Sequence, residues 1–402
     1  MLVFESFHLF LQTESPGVQG NTPNRPMGRV DVTNAAETVR LRYFGPNWFA
    51  SVMGTGIVAN AAATLPIQIP GLRGFADIVW VCSAVLLVVL IAAVSVQRVR
   101  HPAVVHGLIH NPQMTHFYGA APMALMTVGA GAVLLGPDLI GERLAIDLSW
   151  AFWSVGALGG LFTALTIPYL MFTELQVEPD SAFGGWLMPV VPPMVAAASG
   201  ALLISHLPAG SGRATMFYAC LAMFGLSFIA ALMIITMIWS RLTHYGTSGT
   251  SRVPTLWIVL GPLGQSITAA GLLGSVAGLA VDPQLASGVG VFAIVFGVPV
   301  WGFAVLWIAL ATALTVRTLR RGMPFALTWW SLTFPVGTFV TGTSQLAAHT
   351  GLTLFRYAAV AAYVGLLGTW ALVSVRTFGG SVRGNLFAPG PSSVRVQKSG
   401  AE

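Results

Sequence analysis

The chain has 402 residues, of which 55% are hydrophobic and only 8% charged, with a mean hydropathy of +0.77. Soluble domains carry about 25% charged residues, so this composition excludes an ordinary soluble protein. The formal charge of +6 does not point to nucleic acid, because the basic residues stand in short clusters between apolar runs, the pattern that sets membrane topology.

Met1–Leu11 is short, contains Glu5 and lacks the basic leading region and small-residue cleavage site of a secretory signal. Residues 1–43 are polar and poorly periodic and read as a disordered cytoplasmic tail. A membrane domain over 44–377 follows, then a flexible, Gly-, Pro- and Ser-bearing cytoplasmic tail over 378–402. Because a spanning helix needs about 20 apolar residues, the apolar windows give ten spans. They lie near 45–65, 75–97, 117–136, 147–172, 185–205, 214–240, 254–280, 287–316, 325–347 and 354–376.

Charge placement supports that count. With ten spans, fifteen of the nineteen basic residues fall on one side; Arg73, Arg143, Arg213 and Arg356 fall on the other. The positive-inside rule then places both termini in the cytoplasm. The loop Thr173–Gly184 is cytoplasmic yet carries Glu174, Glu178 and Asp180 and no base, which matters little because acidic residues weigh lightly in the rule.

The spans differ by parity. Odd spans contain or are entered by Pro46, Pro122, Pro189, Pro192, Pro193, Pro254, Pro262 and Pro335, whereas even spans contain only Pro168 and Pro299. Proline in a membrane helix is tolerated where neighbouring helices or water satisfy the freed backbone groups. A helical hairpin used five times, with the odd helices around a shared interior, accounts for this pattern.

The stretch Trp329–Gln345 gives that interior a chemistry. Phe334, Thr338, Thr341 and Gln345 recur at i, i+4, i+7 and i+11, on one helical face. Similar stripes occur at Ser51, Thr55, Val58 and Ala62, at Ala120, Ala124, Thr127 and Gly131, and at Gly264, Thr268, Gly271 and Ser275. Close packing through small residues is the competing reading; recurrence on four helices of one parity favours a pore. The pore-lining candidates are Ser51, Thr55, Ala124, Thr127, Pro192, Pro193, Gly264, Gln265, Thr268, Thr338 and Thr341, with Phe334 as plug.

Catalytic chemistry is not visible. The acidic residues lie in tails, loops or span edges, with Asp77 the deepest. A mid-membrane charge is costly and is retained for function, so its absence argues against a proton-relay pump, a cation-coupled antiporter and an embedded enzyme. His106 and His110 are spaced i, i+4, but they sit beside Pro102 and Pro112 in a cytoplasmic loop without a nearby carboxylate or cysteine ligand. That loop, which also holds His101 and His116, reads as solvated, and no metal or cofactor is expected. Cys82 and Cys220 fall in apolar windows and read as ordinary packing. A neutral path with basic mouths suits small anions.

Four segments, FGPNWFASVMGTGIVA at 44–59, WLMPVVPPMVAAASG at 186–200, PTLWIVLGPLGQS at 254–266 and WWSLTFPVGT at 329–338, fit one pattern in order. They resemble the tellurite-resistance/dicarboxylate transporter family, which includes TehA-like proteins, malate permeases, sulfite exporters and plant slow anion channels. The resemblance implies an all-α integral membrane fold of ten helices as five hairpins, with quasi-fivefold symmetry around a central pore. It also implies a gating phenylalanine at Phe334 and a homotrimer with one pore per subunit. Three of the segments lie nearer the sulfite-exporter and malate-permease branches. The expectation is a plasma-membrane protein carrying small anions, such as malate or sulfite, with no nucleic-acid partner and no enzymatic step.

Overall fold

The computed structural model describes residues 44–247, 249–384 and 386. The expected N-terminal tail over 1–43 and nearly all of the expected C-terminal tail lie outside the described residues. Ten helices of thirteen residues or more dominate what is described. They are α1 (Phe49–Ala63), α2 (Leu72–Arg100), α3 (Ala120–Ile140), α4 (Glu142–Thr173) and α5 (Pro192–Ile204). Then come α6 (Ser211–Tyr245), α7 (Leu260–Ala280), α8 (Pro283–Leu319), α9 (Phe334–Thr350) and α10 (Thr353–Val382). α10 thus continues past 377, where the sequence placed the end of the membrane domain. No strand occurs among the described residues.

Each odd helix is entered through a 3₁₀ segment: Pro46–Trp48, Thr115–Gly119, Gly184–Leu187, Val253–Val259 and Leu327–Leu332. Proline explains much of this tightening, since it lacks an N–H and clashes with the carbonyl one turn back. Connections between odd and following even helices are short. A single residue, Gly141 at φ 82°, joins α3 to α4, and Gly351 at φ 67° turns α9 into α10. Both adopt the left-handed region that glycine enters without penalty.

Packing separates the two sets. α1, α3, α5, α7 and α9 each touch two others of the set, and the contacts close: α1 on α3, α3 on α5, α5 on α7, α7 on α9, α9 on α1. The 3₁₀ entrances repeat the same closed order. Every even helix lies outside, on its own odd partner and on one further odd helix: α2 on α1 and α3, α4 on α3 and α5, α6 on α5 and α7, α8 on α7 and α9, α10 on α9 and α1.

Burial follows. In the segment Gly249–Ala280, which ends in α7, 89% of the most apolar window is buried, against 22% in α8 and α10. The even helices present Ile78, Leu165, Met233, Val295 and Val375 outward. An apolar outer face on long helices is what a bilayer requires. Seven segments are long and apolar enough to cross one: α2, Thr115–Ile140, α4, α6, Gly249–Ala280, α8 and α10. α1, α5 and α9 are shorter and almost wholly buried.

Glycine closes the seams between odd helices. A Cβ added at Gly56 would meet Thr127, one at Gly119 or Gly184 would meet the backbone of Met188 or Thr255, and one at Gly54 would meet Thr333. At Gly264 it would fall 2.7 Å from the Thr338 carbonyl oxygen. Small residues thus let backbones approach, as in other membrane interfaces.

Outer helices also complete the hydrogen bonding of the inner ones. Trp80 of α2 donates its indole N–H to Val128 O (3.0 Å), Trp153 of α4 to Ala196 O (2.8 Å) and Trp307 of α8 to Leu256 O (2.8 Å). Ser83 Oγ donates to Val52 O (3.1 Å), Ser227 Oγ to Val190 O (2.6 Å) and Thr369 Oγ1 to Leu332 O (3.3 Å).

The glycine seam is directly testable. Gly264→Ala forces backbone apart and should lower stability by about 1–3 kcal/mol. Gly278→Ala, in the same helix with open space around its would-be Cβ, should be neutral or stabilising by up to about 1 kcal/mol. Thermal unfolding of the two variants in detergent distinguishes them.

Candidate functional site

The closed set of odd helices encloses a cavity, and all five contribute to its wall. Ile57 and Asn60 come from α1 and Thr64 from its C-terminal cap, Met126, Thr127, Ala130 and Leu134 from α3, and Val195, Ala198, Ser199 and Leu202 from α5. Gln265, Thr268 and Leu272 come from α7, and Phe334, Thr341 and Gln345 from α9. None of these side chains is ionisable. A water-sized sphere can be centred over about 60 Å³, room for a few waters.

A second, smaller cavity lies at the 3₁₀ entrances, between Ala50, Met53, Phe117, Met123, Met188, Val191, Ile258, Gly261, Leu327, Trp330, Ser331, Phe334 and Pro335. Its wall is also free of ionisable groups. Phe334 is the one residue in both walls. It opens α9, is 5% exposed, and follows Thr333, whose hydroxyl donates to Trp330 O at 2.7 Å.

Of the candidates read from sequence, Phe334, Thr127, Gln265, Thr268 and Thr341 come together on the larger cavity. The other seven lie off both walls. Thr338 is fully buried towards α7, its hydroxyl 2.7 Å from Pro335 O and 3.2 Å from Leu260 O. Gly264 meets the α9 backbone. Thr55 accepts the Trp370 indole N–H at 3.2 Å and so faces α10. Ser51 donates to Trp48 O at 2.7 Å within its own helix entrance. Pro192 packs against Gly160 of α4, and Ala124 and Pro193 are buried between helices.

On α1, α3 and α7 the residues off the walls share a cause, whereas on α9 Phe334, Thr341 and Gln345 do line the cavity. The stripes of small residues mark helix-to-helix seams, the competing reading weighed above, and the cavity face lies about one residue out of phase. On α1 it runs through Ala50, Met53, Ile57, Asn60 and Thr64 instead of Ser51, Thr55, Val58 and Ala62. One residue is about 100° of helix rotation. Asn60 and Ser199 were not singled out, although an amide deep in an apolar window is itself a signal.

The histidine region also differs from expectation. His106 and His110 stack at 4.3 Å, and His110 Nε2 lies 3.6 Å from Glu174 Oε2. No group of three or more His, Cys, Asp or Glu side chains able to hold a metal occurs among the described residues. His116, expected in solvent, is 1% exposed. Its ring stacks on Trp186 at 6.1 Å and meets Phe183 edge-on at 5.6 Å, so the aromatic residues around α5's entrance draw it inward. Cys82 is exposed on α2 while Cys220 is buried beside Gly200.

Buried helices with 3₁₀ entrances around a neutral cavity, sheathed by long helices with apolar outer faces, fit a multi-span membrane transport protein. The chain belongs to the voltage-dependent anion channel family (SLAC1), which it matches over residues 43–378, the family that its four sequence segments resemble. It is similar to the sulfite efflux pump SSU1 of Trichophyton rubrum, 27% identical over 357 residues that cover 87% of this chain and 94% of that one. It is also similar to an uncharacterized transporter of Methanocaldococcus jannaschii, 24% identical, with 86% and 97% covered. A malic acid transport protein of Schizosaccharomyces pombe is 22% identical, with 76% and 71% covered.

Placing Thr338 in a seam has a measurable consequence. Thr338→Val removes a buried hydroxyl and leaves the Pro335 carbonyl without it, which should cost about 1–3 kcal/mol of stability. Denaturant or thermal unfolding of the purified variant measures this loss.

Proposed function

We propose that the protein is a pore for small anions, with Phe334 as its gate. The observation that carries the reading is the position of Phe334, which alone belongs to both cavities along the axis of the odd helices. A ring between two water-sized spaces separates them, and its rotation about χ1 is the smallest movement that would join them. An anion entering this path would shed part of its hydration against a wall with no fixed charge. Basic residues at the cytoplasmic ends of the spans would raise the local anion concentration.

The substrates favoured are sulfite and C4-dicarboxylates such as malate, on the printed functions of the relatives. An antiporter driven by cations needs an acidic residue in its path, and an embedded enzyme needs titratable groups near its substrate. Neither cavity wall supplies them.

The architecture that goes with this reading has ten membrane spans as five hairpins, related by quasi-fivefold symmetry. The closed contacts of the odd helices and of their entrances support it. The shorter helices gain length from their entrances: α9 rises about 25 Å and its 3₁₀ segment about 12 Å more, against a hydrocarbon core of about 30 Å. Both termini face the cytoplasm by the charge asymmetry, the membrane is the plasma membrane, and the assembly is a homotrimer with a pore in each subunit.

Reconstitution in liposomes tests the proposal. At least one of sulfite, malate and chloride should be released faster than from protein-free vesicles. Phe334→Ala should raise that flux several-fold by removing the ring between the cavities. An absence of anion flux in both proteins, or an unchanged or lower flux in a well-folded Phe334→Ala variant, would overturn the gate.

A further inference from the structure

We infer that the amides of Gln265 and Gln345 form two successive anion-binding stations in the larger cavity, and that its hydroxyls do not hold the anion. This rests on reading the cavity as the permeation path. An anion is held by hydrogen-bond donors, so the question is which N–H and O–H groups on the wall are uncommitted.

The hydroxyls are committed. Thr127 Oγ1 donates to Met123 O at 2.7 Å, Ser199 Oγ to Val195 O at 2.7 Å and Thr64 Oγ1 to Asn60 O at 2.9 Å, each one turn back in its own helix. Thr268 Oγ1 reaches Gly264 O at 2.9 Å, Thr341 Oγ1 reaches Thr338 O at 3.1 Å, and the two hydroxyl oxygens lie 2.7 Å apart. A back-bonded hydroxyl presents only lone pairs to the cavity, which repel an anion. Asn60 is half committed: one of its two Nδ2 N–H groups donates to Thr127 O at 3.0 Å, and the buried Oδ1, which has no partner, is an acceptor that repels an anion. A water retained by the anion can serve Oδ1.

Gln265 and Gln345 remain. Both line the cavity, and neither amide has a protein hydrogen-bond partner among the described residues. Each –NH₂ offers two donors without a charge.

Their placement makes them sequential. α7 and α9 run parallel in a fixed register: Gly264 against Thr338, Thr268 against Thr341, Gly271 against Gln345 and Ser275 against His349. Gln265 therefore stands about one turn before the Thr268–Thr341 pair and Gln345 about one turn after it. At 1.5 Å per residue the two stations are separated by roughly 10 Å along the path. Gly271 makes room for Gln345, because a Cβ there would fall 2.6 Å from the glutamine's own Cβ. Both stations lie beyond Phe334 from the start of α9, so an anion that has passed the ring meets one and then the other.

The test uses the full chain in liposomes, in the Phe334→Ala background where losses are easiest to measure, with sulfite and chloride as probes. Gln265→Leu and Gln345→Leu should each cut anion flux by about tenfold or more, the effect of losing one hydrogen bond to a charged group. Thr127→Val and Ser199→Ala should cost far less. The isosteric Gln345→Glu replaces donors by a negative charge and should abolish flux while keeping the elution profile of the parent. That variant also decides the matter if a leucine variant fails to fold. Flux retained in both glutamine-to-leucine variants or in Gln345→Glu, or hydroxyl removals as damaging as amide removals, would overturn the inference. Wild-type protein without any anion flux would instead remove the permeation reading beneath it.

Discussion

The structure depends on one constraint: a helix broken in the interior of a membrane protein must have its freed backbone groups satisfied by protein. The 3₁₀ entrances, with proline inside or just after them, leave carbonyls near the starts of odd helices that no i+4 N–H fills. The outer helices supply the missing donors, with Ser227 on Val190 O, Thr163 Oγ1 at 3.4 Å from Pro189 O and Trp307 on Leu256 O. Each even helix is therefore more than a lipid-facing sheath. It makes an irregular neighbour possible, and that irregularity lets residues such as Phe334 sit at a helix start.

Much of the fold was legible because its signals are strong and additive. Twenty-residue apolar windows, the sidedness of arginine and the concentration of proline in alternate spans all report on the bilayer, whose demands vary little from protein to protein. The cavity was legible only in part. Periodicity identifies which residues share a face but not what that face meets, and in α1, α3 and α7 the small-residue face meets another helix. Phe334 stands out as the one bulky aromatic on a polar stripe, and the motif resemblance then gives it the gating role that spacing alone does not. Thr338 lies off both walls because a threonine can satisfy itself on its own helix and then serve as packing. His116 failed because burial among Phe183, Trp186 and Met171 depends on contacts between residues more than fifty positions apart.

The seams and the cavity are complementary uses of the same small side chains. Where glycine brings two backbones together, as at Gly264 on α9, neither helix can rotate without separating peptide groups that touch. A set of inner helices fixed in this way resists opening by tilting, and that directs any change of width towards side-chain rotation. The smaller cavity is walled by Met53, Met123 and Met188 among others, side chains with several rotatable bonds that adapt their shape at little cost.

The lack of an ionisable group in either cavity also bears on time. A fixed cation would lower the energy of an anion inside and, for the same reason, lengthen its stay. In the proposed pore a wall of neutral dipoles would offer shallow wells, so entry would be limited by dehydration and departure would be quick. Such a wall would favour throughput over retention and would respond to concentration across the membrane without saturating at low levels.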